Sequence, residues 1–238
     1  MDRKKFLNIF FFAIFTGSGL YGIIPGFSRL LSLNGYQQDT TKENQILYNG
    51  KVWRNLYYHV KGDQFLFSNS YLPGSVAING KTYNNLNINY DIYNDEIITP
   101  NVKGTILQLN KEMVDSFTMV FEDKTYRFIN TLEDSLSGVK GYMNELYKGE
   151  SALYVKYKKE IDPLAVDKKY DLFYQKHRIY FMKGGIYHQI SGKNDLLKVL
   201  SDEKTQIKDF IKQNKIKIIK REPESYIPVI RYYDSLSH

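Results

Sequence analysis

The chain contains no cysteine. This absence excludes disulfides, thiolate zinc sites, iron–sulfur clusters, a cysteine nucleophile and a lipidated N-terminal cysteine. Histidine is also scarce, since only His59, His177, His188 and His238 are present. The sequence has no Gly-x-Ser-x-Gly elbow, no His-Glu-x-x-His helix and no phosphate-binding loop, so the usual anchors of hydrolases, zinc proteases and nucleotide-binding enzymes are missing. We therefore predict a protein that is not an enzyme and carries no cofactor.

Tryptophan is nearly absent as well, with one residue against 21 tyrosines and 14 phenylalanines. The hydrophobic fraction of 42% and the charged fraction of 25% are typical of globular proteins. A mean hydropathy of -0.44 excludes a protein with many membrane spans. A length of 238 residues suits one domain of ordinary size or two small ones.

The N-terminus indicates export. Arg3, Lys4 and Lys5 precede a run from Phe6 to Ser28 that carries no charge. This layout is typical of a secretory signal peptide, although the run is also long enough for a membrane anchor with its basic end inside. We assign 1–28 to a signal peptide or N-terminal anchor, 29–45 to a tether and 46–238 to a single β-rich globular domain. If the N-terminal segment is an anchor, it attaches the protein to the membrane.

The formal net charge of +7 arises mainly after residue 140. A basic region of this kind could contact nucleic acid, an anionic membrane surface or an acidic partner. Acidic residues are interspersed with the lysines, however, and Arg178, Arg221 and Arg231 are widely separated. Together with export, this pattern predicts no nucleic-acid partner.

From residue 46 to about 130 the sequence is typical of antiparallel sheet, with short apolar runs separated by turn residues. Asn49-Gly50 and Asn79-Gly80 each predict a type I′ hairpin turn, and the residues around them resemble each other. Apolar and polar residues alternate from Leu86 to Tyr93. This pattern predicts a strand whose inward side chains are Leu86, Ile88, Tyr90 and Ile92 and whose outward side chains are Asn87, Asn89 and Asp91. We expect a meander of about eight strands, arranged as a sandwich or an open or closed barrel.

The second half is predicted to begin with a loop-rich stretch, 131–150, and to continue with a strand from Ser151. A two-residue turn at Gly184-Gly185 would place Phe181 opposite His188 and Ile179 opposite Ile190. Apolar residues then recur at helical spacing, which predicts helices near 194–213, the second of them capped by Ser201. A last strand at 216–219 and an irregular tail complete an α+β fold: a predominantly antiparallel β meander with a short C-terminal helical segment.

Several short stretches together resemble an uncharacterised family of exported Bacteroidetes envelope proteins. They are Asn49-Gly50-Lys51, Tyr90 to Glu96, Leu146 to Gly149, Tyr154 to Lys159, Asp195-Leu196-Leu197 and Phe210 to Lys215. The likeness extends from about Leu47 to Leu236. It implies a location in the periplasm or at the outer membrane, but no activity and no catalytic residues, since the family has none assigned.

Two groups of residues are candidate binding sites. Asp91, Asp95 and Glu96 place three carboxylates at a strand end, where oxygen ligands could gather a hard cation such as Ca²⁺. A solvated turn would give the same residues, so we predict no metal site and keep these three only as weak candidates. Aromatic rings could form a face for a sugar, a lipid-like ligand or a partner, and its members are Tyr57, Tyr58, Tyr83, Tyr90 and Tyr93.

The sequence thus predicts an exported envelope protein with a non-enzymatic binding or assembly role, through a partner protein or a surface. The alternative is a small-ligand or glycan binder with a barrel-like cavity, followed by an enzyme with a dispersed site. A deep apolar cavity would favour the ligand, and a flat exposed aromatic patch would favour the protein partner. A pocket that joins His59 or His188 to carboxylates with shifted pKa values would favour the enzyme.

Overall fold

A computed structural model describes residues 45–131 and 138–236, which fall within the compact unit Asp39–His238. The predicted signal peptide or anchor at 1–28 and nearly all of the tether at 29–45 lie outside the described residues. The strands are β1 (Lys51–Val52), β2 (Leu72–Ile78), β3 (Lys81–Asp91), β4 (Glu96–Pro100), β5 (Ile106–Gln108), β6 (Val114–Phe121), β7 (Lys124–Thr131), β8 (Gly141–Lys148), β9 (Ala152–Val166), β10 (Tyr170–Lys183) and β11 (Ile186–Ile190). The helices are α1 (Lys193–Val199), α2 (Lys204–Gln213) and α3 (Ile227–Leu236). Within these residues, no helix is both long enough and apolar enough to span a bilayer.

The strands form one mainly antiparallel sheet in the order β1-β5-β4-β3-β2-β6-β7-β8-β9-β10-β11. Neighbours along the chain are neighbours in the sheet except at β1, which pairs with β5, and at β6, which pairs with β2. This arrangement confirms the predicted β-rich α+β class. The strands do not divide into the two sheets of a sandwich.

Three two-residue turns connect adjacent strands, at Asn79-Gly80, Glu122-Asp123 and Gly184-Gly185. Asn79 and Gly80 have φ values of 49° and 78°, which confirms the type I′ turn predicted between β2 and β3. Gly184-Gly185 also turns as predicted, and it sets Phe181 opposite His188 and Ile179 opposite Ile190. The hairpin predicted at Asn49-Gly50 is wrong, because this pair precedes β1 and the partner of β1 is the distant β5.

The sheet is strongly curved. The rings of Tyr90 on β3 and Tyr142 on β8 lie 5.7 Å apart between centroids, although four steps across a flat sheet would separate these strands by about 19 Å. The backbone N–H of Lys159 on β9 even donates to the carbonyl of Ile92 at 3.1 Å. The order still begins at β1 and ends at β11, so the sheet is open, and a closed barrel is not formed.

Aromatic and aliphatic side chains fill the concave face. Tyr90, Phe117, Phe128 and Tyr142 contact one another there with centroid distances between 4.6 and 5.7 Å. All four are at most 1% exposed. This part of the interior therefore consists of packed side chains.

The second face of β3 is covered, which corrects the prediction that Asn89 and Asp91 point to solvent. Both are buried. The segment before β2 folds over them: Asn89 donates to the carbonyls of Ser68 and Ser70, and Phe65 forms a bridge with Asp91. The alternating pattern indicated one inward face correctly, but it could not show that a loop seals the other.

The helices pack on the other end of the sheet. The buried residues of α1 and α2 join the side chains of β9 and β10 in one core, which includes Leu153, Phe181, Leu196, Ile207 and Ile211. Helices were predicted near 194–213, and α1 and α2 lie there.

Four finer predictions in this region and before β8 are wrong. Glu203, rather than Ser201, precedes the first turn of α2. Residues 216–219 form no strand, and the tail forms α3 because Pro223 begins the 3-10 turn that leads into it. The stretch 131–150, which was predicted to be loop-rich, contains β8. Seven strands lie between 46 and 131, against a predicted number of about eight.

Candidate functional site

A cleft of 350 Å³ lies beside β1 and contains the single tryptophan. We call it the Trp53 cleft. Its lining combines aromatic, amide and charged side chains, namely Val52, Trp53, Arg54, Leu56, Tyr57, Gln64, Asn94, Glu96 and Gln108. Its size is at the lower end of the range of small-ligand sites, and such sites typically combine apolar surface with a few placed polar groups.

The segment after β1 brings the aromatic rings together. Trp53 is tied to β5 because its backbone N–H donates to the carbonyl of Ile106 at 3.0 Å. Tyr57 lies edge-on to Tyr93, with 4.9 Å between centroids, and edge-on to Phe173 at 5.8 Å. Edge-to-face contacts of this kind hold rings in fixed orientations. The aromatic wall of the cleft is therefore rigid.

The turn between β3 and β4 supplies an oriented amide. Asp91 accepts hydrogen bonds from the backbone N–H groups of Tyr93 and Asn94, both at 2.9 Å. Its other oxygen accepts from the side-chain amide of Asn94 at 2.8 Å, and the amide oxygen of Asn94 faces the Tyr57 hydroxyl at 3.4 Å. These contacts fix the amide of Asn94 at the edge of the cleft before any ligand arrives.

Glu96 places a carboxyl group in the same cleft. Partial burial and the nearby charge of Asp91 raise the pKa of Glu96 above its usual range, while Lys111 and Lys51 oppose the shift. Within residues 45–131 and 138–236, no hydrogen bond or ion pair to this carboxyl group is found. It can therefore serve as a hydrogen-bonding group for a ligand.

A second cleft, of 690 Å³, lies next to the first and shares Gln108 with it. We call it the lysine cleft. It is lined by Asn49, Gly50, Lys51, Gln108, Leu109, Asn110, Lys111, Glu112, Lys140 and Gly141.

Asp95 connects the lysine cleft to the core. One of its oxygens contacts the ammonium groups of Lys111 at 2.5 Å and Lys156 at 3.2 Å, and the other accepts from the hydroxyl of the buried Tyr90 at 2.6 Å. Burial alone would raise the pKa of Asp95, but the charges of Lys156 and Lys111 outweigh it and hold the pKa below its usual value. Burial in turn lowers the pKa of Lys156, an effect that Asp95 only partly offsets. Asp95 is therefore ionised at neutral pH.

The three weak candidates for metal ligands, Asp91, Asp95 and Glu96, do not converge on one point. The carboxylate of Asp91 accepts hydrogen bonds from the turn, and that of Asp95 pairs with two lysines. Glu96 faces the Trp53 cleft. No group of three or more potential metal ligands occurs in the described part of the chain. The side chains diverge because consecutive residues of a turn and a strand project in different directions.

The predicted tyrosine face is only partly formed. Tyr57 and Tyr93 meet beside the Trp53 cleft. Tyr83 and Tyr90 are 7% and 0% exposed and belong to the core, so their inclusion was wrong. Tyr58 is 85% exposed and lies in a different depression with His59 and Tyr170.

Sequence reasoning missed Trp53, Gln64 and Gln108 as cleft residues, and Lys111 and Lys156 as partners of Asp95. Trp53 carried a usable signal, since the only tryptophan of the chain follows a lysine-containing turn in a polar segment. The other four are brought together by pairings between distant strands, which no local pattern indicates.

None of the described histidines, His59, His177 and His188, lines either of these two clefts. His188 lines a depression with Lys183, Ile186, Lys198 and Val199. His59 shares its depression with Asp171, whose carboxylate accepts a hydrogen bond from the backbone of Leu164. Neither depression contains Asp91, Asp95 or Glu96.

No protein-family model, no curated protein and no solved structure matches the chain.

Proposed function

We propose that the chain is an exported, non-enzymatic binding protein of the cell envelope and that the Trp53 cleft binds a saccharide. The observation that carries this proposal is the convergence in one cleft of the only tryptophan, the ring of Tyr57, an oriented amide and a carboxyl group, with Tyr93 packed edge-on against Tyr57. The envelope location rests on the basic N-terminus and the uncharged run after it.

Sugar rings present a flat, weakly polar face of C–H groups and a rim of hydroxyl groups. An aromatic ring such as Trp53 provides area for the flat face at little cost in conformational entropy. The amides of Gln64, Asn94 and Gln108 provide both donors and acceptors, which suits hydroxyl groups that also do both. The cleft volume of 350 Å³ accommodates one or two sugar units.

Assembly with another envelope protein is the second candidate. Tyr58, 85% exposed, and Tyr170, 46% exposed, line a common depression, with Lys61 over the Tyr170 ring at 4.6 Å. Aromatic residues are enriched in protein interfaces. This surface lies on other residues than those of the Trp53 cleft, so separate variants distinguish the two roles.

The binding proposal is tested by titrating the full chain with a panel of neutral and acidic saccharides while tryptophan fluorescence is recorded. Because Trp53 is the only tryptophan, every change in its emission reports on the cleft. We expect saturable changes with at least one saccharide, and about tenfold weaker binding in Tyr57→Ala, since one aromatic contact contributes about 1 kcal/mol or more. Tyr174→Ala, an exposed tyrosine outside the cleft, is the matched control. Absence of saturation across the panel, or equal weakening in both variants, would refute the proposal.

The export proposal has its own test. Fractionation of the native host should place the protein outside the cytoplasm, as a processed or a membrane-anchored form. Recovery of the intact chain in the soluble cytoplasm would show that the N-terminal segment does not direct export.

A further inference from the structure

The lysine cleft carries an excess of positive charge. Lys51, Lys111 and Lys140 line it together with one acid, the exposed Glu112. Lys156 lies beneath the lining, where its ammonium group donates to the carbonyl of Lys140 at 2.5 Å. Four ammonium groups therefore approach a single concave surface.

The partly buried carboxylate of Asp95 cannot neutralise all of this positive charge. Asp95 is shared between Lys111 and Lys156, with side-chain exposures of 33% and 23%, so two partly buried cations depend on one anion. An ammonium group has three N–H donors, and Lys111 directs one of them to Asp95. A second anion arriving from the cleft would balance the remaining positive charge in a place where water screens it only partly.

The position of Lys111 is fixed before binding. Its carbonyl accepts a hydrogen bond from the side-chain amide of Asn130 at 2.8 Å, and Asn130 also donates to Val114 at the start of β6. Lys111 begins a 3-10 turn that is capped by Asn110. These contacts fix the backbone of Lys111, and the carboxylate of Asp95 holds its ammonium group, so little conformational entropy is lost when the lysine binds a ligand.

Glycine at position 141 keeps the wall of the cleft open. A Cβ atom there would overlap Oδ2 of Asp95 and would lie 2.9 Å from the ammonium nitrogen of Lys111. Any larger residue would displace the charged pair, and φ of +88° disfavours such a residue further. The absence of a side chain at Gly141 thus leaves room for the Asp95–Lys111 pair at the edge of the cleft.

We propose that the lysine cleft is a binding site for an oxyanion group, the phosphate or carboxylate of a small ligand. Lys51 and Lys140 contact the anion from the rim, and Lys111 contacts it from the floor. This site is distinct from the Trp53 cleft, and the inference stands whether or not that cleft binds a saccharide. Because the clefts share Gln108, an acidic saccharide could occupy both.

The test is an NMR titration of the isotope-labelled full chain with inorganic phosphate, acetate and glucuronate at constant ionic strength, with sodium chloride as the reference salt. The amides of Gly50, Lys51, Lys140 and Gly141 should shift in a saturable way at millimolar concentration. Saturation with phosphate alone would identify a phosphate group, and saturation with the two carboxylates a carboxylate; either supports the proposal.

The deciding variant is Lys51→Gln/Lys140→Gln, because these two side chains are exposed and take part in none of the ion pairs of the described residues. We expect affinity to fall about tenfold or more while the melting temperature stays unchanged, since two charged contacts are lost. The matched control is Lys103→Gln/Lys168→Gln, which removes the same charge outside the cleft and should bind like the unaltered chain. Shifts that chloride reproduces, or equal losses in both double variants, would overturn the proposal.

Discussion

Asp95 connects several elements of the sheet. Its carboxylate connects the start of β4 to Lys111 before β6, to Lys156 on β9 and, through Tyr90, to the core of the curved sheet. Breaking a partly buried set of this kind leaves the partner charges unpaired, which costs more than the lost contacts alone. The residue therefore joins strands that are far apart in the sheet order.

The first prediction at this scale concerns pH. Because the folded pKa of Asp95 lies below the unfolded value of about 3.9, its ionisation stabilises the fold above that pH, and the contribution is lost as pH falls through the folded pKa. We expect Asp95→Asn to reduce the free energy of unfolding by about 2 kcal/mol at neutral pH. Urea unfolding of both proteins at a series of pH values should show this difference shrinking below about pH 4. A difference that does not change with pH would contradict the assignment.

The second prediction concerns Gly141. Gly141→Ala should destabilise the protein by about 3 kcal/mol, because the new Cβ forces both backbone strain and displacement of the Asp95–Lys111 pair. Gly80→Ala is the matched control, since Gly80 also has a positive φ of +78° but no atom lies within 4 Å of its Cβ position. The control should lose only about 1 kcal/mol. Equal melting temperatures for the two variants would show that the contact at Gly141 is unimportant.

Among the elements, α2 shows how apolar residues at helical spacing stabilise a helix by packing on its neighbours. Ile207 is fully buried against the sheet, whereas Phe210 is half-buried and stacks on Tyr232 of α3 with centroids 3.9 Å apart. A helix of ten residues is marginal alone in water, so this packing is what maintains it.

Two variants of α2 give the third prediction. Ile207→Ala should cost about 3–4 kcal/mol in unfolding free energy because it creates a cavity, and Phe210→Ala should cost less, about 1–2 kcal/mol, because its ring has one solvent-exposed side. Chemical denaturation of the monomer measures both. A larger loss of unfolding free energy for Phe210→Ala than for Ile207→Ala would indicate that α2 is oriented differently. No loss for Ile207→Ala would indicate that α2 does not pack on the sheet.

The sequence patterns correctly predicted those turns and helices that are determined by residues close together in the chain. The turns at Asn79-Gly80 and Gly184-Gly185 follow from residues that tolerate positive φ, and α1 and α2 follow from apolar spacing. Asn49-Gly50 has the same letters but no preceding strand to pair with. Its glycine instead permits close approach, because a Cβ at Gly50 would overlap the carbonyl oxygen of Gln108. Of the candidate site, the sequence analysis indicated Tyr57, Tyr93 and Glu96. Gln108 reaches the cleft because β1 pairs with the distant β5, which no local pattern indicates.

At the scale of the whole molecule, the curved sheet leaves its interior packed and presents its clefts at one edge. The concave face is filled by rings such as Tyr90 and Phe117, so a ligand finds no room there. The short strand β1 instead pairs with β5 and places Trp53 beside the turn that carries Asn94. Binding is therefore expected at the outer edge of the sheet, near residues 52–57 and 94–96.

The central claim is that a saccharide occupies the Trp53 cleft, and a map of backbone amide shifts tests it most directly. The full chain, labelled with ¹⁵N, is titrated with the saccharide that gives the strongest fluorescence change. The account predicts that the largest shifts fall on Trp53, Tyr57, Gln64, Asn94 and Gln108, and that Tyr58, Tyr170 and His188 stay unchanged. Shifts concentrated at Tyr58 and Tyr170, with none at Trp53, would contradict it and assign binding to the other surface.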